Sequence, residues 1–206
     1  MTLMVGQVLA AQSDTSGMVV FRMHTELDDP KNDWFDTLYF NRSYYLYIEK
    51  RNRPMYTTSS GMTVRTPQKN NRYYISADLS YRLVLSQNYK KKRIEYRREE
   101  LPPPNWKLSS ELKLIDGYQT QKATATEMPY AYPKLTMFVG YFTPSIPIRV
   151  GPAASYGLPG LVLEYEWYPD YGTRWTVERI SFEPVSITAP NPQDYYVAKP
   201  KKMSGE

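Results

Sequence analysis

The sequence predicts an all-β protein, with antiparallel strands forming a curved half-barrel or a sandwich and little helix. Three observations predict it. Aromatic residues make up 15% of the 206-residue chain, and tyrosine alone contributes 20; such side chains suit a half-buried pleated surface. The 17 prolines are spread along the chain, as they are where short strands alternate with turns. Long runs of the alanine, leucine and glutamate that build helices are scarce. The length suits one domain, because all-β sandwiches and barrels of this size form single units.

The elements follow in order. Residues 18–27, MVVFRMHTEL, alternate as a first strand, and DDPKND makes the turn after it. Residues 34–41 and 43–50 form a hairpin. Residues 51–70, with Pro54, Gly61 and Pro67, read as a long polar loop. NRYYISADLSYRLVLSQN supplies two strands around a turn near Asp78, and KKKRIEYRREE continues as a charged strand. LPPPN at 101–105 breaks the chain; it reads as a sheet corner rather than a domain linker, because neither half is long enough for its own core. Two strands then flank Asp116-Gly117, a strong hairpin signal. KLTMFVGYFT is a strand, PSIPIRVGP a proline-spaced extended piece suited to a sheet edge, 161–168 a strand, and TRWTVERISFEPVSI a last long strand or pair. That gives ten to twelve strands, which must curl or stack. The domain spans 13–198, with a disordered tail over 199–206.

Composition excludes several functions. With no cysteine, a thiol nucleophile, a disulfide framework and a zinc–thiolate centre are absent. The single histidine, His24, lies in an alternating run and reads as a strand-surface side chain. Triad catalysis would depend on it alone. No apolar run is long enough for a membrane-spanning helix. Residues 1–12 resemble a weak or truncated export signal, with a short apolar stretch and LAAQ as a cleavage site but no basic start. No cofactor is expected.

The stretch GPAASYGLPGLVLEYEW, 151–167, concentrates glycine and proline before an apolar run. It lacks the lysine of a phosphate loop, the helix of a dinucleotide fingerprint and the G-x-S-x-G of a nucleophile elbow. The remaining reading is a rigid corner: Gly157 and Gly160 adopt positive φ, and Pro159 fixes its own. The corner delivers Leu161, Leu163 and Tyr165 to one face and Val162, Glu164 and Glu166 to the other.

GLPGLV at 157–162 resembles the signature of the GLPGLI family of bacterial envelope proteins. Trp106, DGYQTQKAT at 116–124 and YFTPSIPIRVGP at 141–152 resemble that family's other elements, in order and with matching spacing. The chain departs from the pattern at Val162, which stands for an isoleucine, and at Thr120, which stands about where the family often has cysteine. The resemblance implies a periplasmic or secreted, envelope-associated β protein, often encoded beside outer-membrane transport proteins. It implies no reaction.

Net charge is +5. The basic stretch YKKKRIEYRR, 89–98, suits either an outer strand kept from aggregating by its charges or an anionic envelope surface. Glu95, Glu99 and Glu100 dilute it, and an exported protein meets little nucleic acid. Glu164 and Glu166 stand about 7 Å apart along one strand face. That separation fits an inverting carboxylate pair as well as any solvent-facing strand. Asp28, Asp29 and Asp33 would suit a hard cation, without the spacing of an EF-hand. Alternate tyrosines and tryptophans fill the core or line a concave ligand surface.

The expectation is a non-enzymatic exported protein that acts through protein contacts, with an outer-membrane protein as partner. A periplasmic carrier of an apolar ligand such as a lipid is the alternative; a hydrolase is the third reading. The candidate contact residues are Tyr156, Gly157, Leu158, Pro159 and Gly160 at the corner and Lys91, Lys92 and Arg93 in the basic stretch.

Overall fold

The computed structural model describes residues 16–24, 34–51, 56–57, 63–64, 69–88, 90–126, 137–168 and 173–198. The export-signal residues 1–12, the acidic group Asp28, Asp29 and Asp33, and the tail 199–206 lie outside them. The strands are β1 (Gly17–His24), β2 (Trp34–Phe40), β3 (Tyr44–Arg51), β4 (Tyr56–Thr57), β5 (Thr63–Val64), β6 (Lys69–Ser76), β7 (Tyr81–Asn88), β8 (Arg93–Glu100), β9 (Lys107–Ile115), β10 (Tyr118–Ala125), β11 (Met137–Thr143), β12 (Leu161–Tyr168), β13 (Arg174–Ser181) and β14 (Tyr196–Val197). Two single 3₁₀ turns, Pro152–Ala154 and Pro192–Asp194, are the only helical pieces among the described residues.

Twelve strands form one sheet in the order β14-β8-β7-β6-β3-β2-β1-β13-β12-β11-β10-β9, and β4 pairs with β5 in a separate ribbon. All pairs are antiparallel except β14 with β8. The fold is therefore all-β, with a single open sheet in place of two stacked ones. The sheet has to curl. β8 and β9 stand second and twelfth in the order, ten spacings apart, or about 48 Å if flat at roughly 4.8 Å per strand. Residues 101–106 join them, and seven Cα steps reach at most about 25 Å. LPPPN thus bridges the two ends of a curved sheet. Bulges in β1–β13, β9–β10 and β11–β12 supply bends.

Alternation sorts the two faces. Val19, Phe21 and Met23 of β1, Leu38 and Phe40 of β2, Tyr45 and Tyr47 of β3, Ile75 of β6, and Tyr165 and Trp175 of β12 and β13 share one core on the concave face. A second, smaller cluster of Tyr74, Leu83, Leu85 and Tyr96 lies under Ile187, Ala189 and Tyr195. Residues 182–187, read from sequence as continuing strand, instead belong to an irregular strap, 182–195, that runs from β13 to β14 beside β8. Pro184, Pro190 and Pro192 lack the N–H donors of a ladder. The charged strand β8 is consequently not an edge.

In the segment 144–160 between β11 and β12, residues 144–152 do not form the sheet-edge piece predicted. Ile146, Ile148, Val150, Ala154, Tyr156 and Leu158 are all buried in the main core. Four prolines and the 3₁₀ turn leave it only the isolated Val150–Tyr156 bridge, so it fills the concave face with side chains.

Candidate functional site

Four features concentrate chemistry, and the glycine–proline corner is the first. Tyr156 and Leu158 are buried, at 4% and 1% exposure, so neither side chain is offered to a partner. Pro159 alone of the five candidate corner residues is exposed. Tyr156 is a clamp: its hydroxyl donates to the Pro102 carbonyl at 2.6 Å, and its carbonyl accepts from Trp106 Nε1 at 2.9 Å. The corner therefore docks on the LPPPN bridge. Gly157 has the predicted positive φ, +92°, but Gly160 does not need one. A Cβ on Gly160 would lie 2.1 Å from the Thr143 carbonyl oxygen, so close approach of two backbones is what requires glycine there.

The second feature lies inside and was missed in the sequence. Asp36 and Glu49 stand directly opposite each other on β2 and β3, both buried. Like charges opposed in this way repel, and each accepts hydrogen bonds from neutral donors. Tyr47 donates to Asp36 Oδ2 at 2.6 Å and Trp175 Nε1 donates to the same oxygen at 3.1 Å. Glu49 accepts from Asn71 Nδ2 at 2.9 Å and from the Tyr73 hydroxyl at 3.2 Å. The Tyr47 hydroxyl also accepts from the Ala153 N–H at 2.7 Å, tying the inner segment to the sheet. Burial and then the charges of Asp36 and Glu49 push the Tyr47 phenol well above its usual range, so it stays a proton donor. Asp36 and Glu49 occur as isolated acids in apolar runs. Only strand register reveals them as a pair.

The third feature corrects the solvent-facing reading of Glu164. This residue is 4% exposed. Lys113 Nζ contacts its carboxylate at 2.9 and 3.0 Å. Arg174 pairs with it too, and reaches Glu166 at 3.5 Å. Burial raises the Glu164 pKa, but the hydrogen bonds from Lys113 and Arg174 outweigh it and leave the group below its ordinary value. An inverting pair needs one carboxyl held up as an acid; Glu164 is held down. Around it, Glu111 pairs with Lys122 at 2.8 Å and accepts from Tyr141 at 2.9 Å. Thr120, where the resembled family often has cysteine, is buried and donates to the Lys113 carbonyl at 2.7 Å. His24 is exposed at the end of β1 opposite Arg174, so in the strand register Arg174 lies between it and Glu166.

Glu164 gives a pH prediction. Its pKa is lowered in the fold from 4.5, so the unfolded chain binds the proton more readily, and the stabilisation present above 4.5 is lost as pH falls through the folded value. Glu164→Gln should cost about 1–3 kcal/mol at neutral pH. The melting-temperature gap to the unaltered chain should shrink below pH 4.5. A gap that stays constant from pH 7 to pH 3 would contradict the assignment.

The fourth feature is the distribution of charge and apolar surface at the sheet's ends. In β8, Arg93 lies over the Tyr196 ring at 3.2 Å and meets Glu95. Arg97 pairs with Glu99, and Arg98 with Glu100. Of the basic stretch, Lys90, Lys91 and Lys92 at the β7–β8 turn remain exposed and carry no ion pair among the described residues. At the other end, β9 pairs only with β10 among the described residues. Leu108, Leu112 and Leu114 on one face of β9 are 55%, 58% and 73% exposed. Sequence reading placed β9 in a hairpin but gave no sign that it would be a terminal strand.

Among the described residues no group of three or more His, Asp or Glu side chains is arranged to hold a metal ion, and no helix is long and apolar enough to cross a membrane. No protein-family model matches this chain. No curated protein matches it either. Among solved structures the chain is similar to PNGF-II in its P21 crystal form, with a TM-score of 0.57 and 13% identity over 87% of this chain and 30% of that one. The C2 form of PNGF-II gives 0.56, 14%, 87% and 29%. An uncharacterized conserved protein from Thermus thermophilus gives a TM-score of 0.45 and 10% identity, over 90% of this chain and 91% of that chain. This chain therefore spans about 30% of the length of the PNGF-II chains it matches. At 13–14% identity the likeness to PNGF-II is one of fold.

Proposed function

We propose that this chain is a non-enzymatic, exported cell-envelope protein that works through protein contacts made along β9. The observation that carries the reading is the row of exposed leucines, Leu108, Leu112 and Leu114, on a strand that ends the sheet. Edge strands are normally blunted, and the opposite end of this sheet is covered by β14 and the strap before it. Exposed apolar surface beside an unpaired strand edge is what a protein partner recognises. The resemblance to the GLPGLI family supplies the expectation of the envelope, with an outer-membrane protein in the neighbourhood. A carrier of apolar ligands is the weaker reading, because the chain's own segment 144–160 packs into the concave face.

A second contact is favoured by charge. Lys90, Lys91 and Lys92 form a cationic tip on the β7–β8 hairpin, toward the other end of the sheet from β9. Such a tip suits an anionic envelope surface.

Photo-crosslinking in the producing cells tests the main reading. A benzoylphenylalanine at Leu112 or Leu114 should give a polypeptide adduct, and the same probe at exposed Phe182 should give far less. Equal yields at the three positions, or no polypeptide adduct at Leu112, would remove β9 as the contact.

A further inference from the structure

We infer that the β9 edge receives a second copy of this chain, related by a two-fold axis through Leu112. The inference rests on the reading of β9 as a contact strand and names its occupant. Two observations carry it: the exposed leucines share one face, and of the registers that bring that row of leucines together only one makes the charges on the other face self-complementary.

Antiparallel pairing of β9 with its own copy sets residue i opposite residue j, with i + j constant. For leucine faces to meet, that sum must be even, since side chains alternate with a period of two. An axis at Ser109 sets Lys107 opposite Glu111, but it puts Leu112 and Leu114 opposite Trp106 and Pro104, before the start of β9; the four axis positions from 110 to 113 bring the leucine region together. An axis at Ser110 sets Lys107 against Lys113 twice. An axis at Glu111 sets that carboxylate against itself, and one at Lys113 sets that ammonium against itself. Like charges directly opposite destabilise a strand pair. The axis at Leu112 alone sets Glu111 opposite Lys113 on both sides, Leu112 opposite Leu112, and Leu114 on the diagonal.

The two charges remain accessible for this. The Glu111 side chain is 49% exposed although it pairs with Lys122, and the Lys113 side chain is 41% exposed although it pairs with Glu164. Each is therefore exposed enough to meet a second partner across the strand edge. The register of β9 on β10 steps from Leu112↔Gln121 to Leu108↔Ala123, so three residues of β9, 109–111, stand opposite Lys122 alone and that stretch bows. The backbone ladder across the axis is accordingly short. Leucine contact and the two reciprocal ion pairs carry the dimer. The cationic tip at Lys90–Lys92 stays free of this contact.

The chain has no cysteine, so single substitutions make clean probes. Across a two-fold at Leu112 the two 112 Cα atoms approach within about 5 Å, inside the range that a disulfide spans. The two 114 positions lie about 13 Å apart and the two 108 positions about 26 Å apart, from a strand rise of roughly 3.3 Å. Sedimentation should show a dimer at tens of micromolar protein. Leu112→Asp should make it a monomer whose melting temperature matches that of the unaltered chain at dilutions where both are monomeric, since the site is exposed. Under mild oxidant Leu112→Cys should form a covalent dimer at least tenfold faster than Leu108→Cys or Leu114→Cys. A monomer at all concentrations, a dimer that survives Leu112→Asp, or equal oxidation rates at the three positions would each overturn the inference. A monomer that still gives an adduct of different mass from the photoprobe at Leu112 would overturn the second copy while leaving β9 as a contact strand.

Discussion

Gly160→Ala is expected to destabilise the protein by more than about 4 kcal/mol, at the far end of what a single substitution does. The added methyl carbon would sit 2.1 Å from the Thr143 carbonyl oxygen, 2.6 Å from its carbon and 2.9 Å from the Pro144 Cα. All three are backbone atoms, so no side-chain rotation relieves the clash. Thr143 ends β11 and Leu161 begins β12, whose amide donates to the Ile146 carbonyl at 2.9 Å. Pushing the corner away would pull Leu158, Leu161 and Leu163, each at most 1% exposed, out of the core. Pro159→Ala, at the exposed residue beside it, should cost less than about 1 kcal/mol. Denaturant midpoints of the two variants check this. A Gly160→Ala protein within about 1 kcal/mol of the unaltered chain would show that the corner can move, and would contradict close approach as the reason for the glycine.

Tyr47→Phe is expected to cost about 3 kcal/mol. The change leaves the ring in place and removes one oxygen. That oxygen is both donor to Asp36 at 2.6 Å and acceptor from Ala153 at 2.7 Å. Its loss takes a donor from a buried carboxylate and leaves a buried amide without its partner. Hydrogen bonds to charged groups contribute about 1.5–3 kcal/mol and an unsatisfied buried donor costs about 1–3. Ala153 and Ala154 both hold positive φ, 55° and 54°, a conformation that non-glycine residues adopt at a cost. The tyrosine hydroxyl helps hold them there. Amide exchange at Ala153 should therefore speed up more than the global loss of stability predicts. If the variant melts with the unaltered chain and Ala153 exchanges no faster, the hydroxyl is not the tie between the inner segment and the sheet.

Both predictions concern the same structural fact, the docking of residues 144–160 inside the curved sheet. Sequence reading reached part of it. GLPG was legible as a corner because glycine and proline have few conformational alternatives, and β12 was legible as the strand that follows. Tyr156 and Leu158 were read as contact residues at a turn that a partner could reach, but both are buried, and here local reasoning failed. A turn is exposed only if nothing else passes over it, and the LPPPN bridge, about 50 residues earlier, packs against this one.

Glu164 was misread for a related reason. Alternation along β12 correctly put it on the face opposite Tyr165, and a single amphipathic strand would leave that face wet. Lys113 comes from β9, three positions away in the sheet order, and a curved sheet brings it onto the carboxylate. Likewise the alternation of β2 and β3 was visible, yet the pairing of Asp36 with Glu49 depends on hairpin register, which the connecting residues 41–43 set.

By itself the sequence determined the class and most elements: aromatic-rich alternation makes strands, proline and Asp-Gly pairs make turns, and the missing cysteines remove thiol and disulfide chemistry. These are local properties, decided within a few residues by side-chain size and backbone freedom. Only the tertiary structure decided which strands are edges, which faces are dry and which charges meet. β8 carries the charge expected of an edge but is covered by β14, and β9, unremarkable in sequence, ends the sheet with its leucines exposed. Strand order and curvature decide those outcomes, and they arise from packing between residues far apart in the chain, where no local pattern records them.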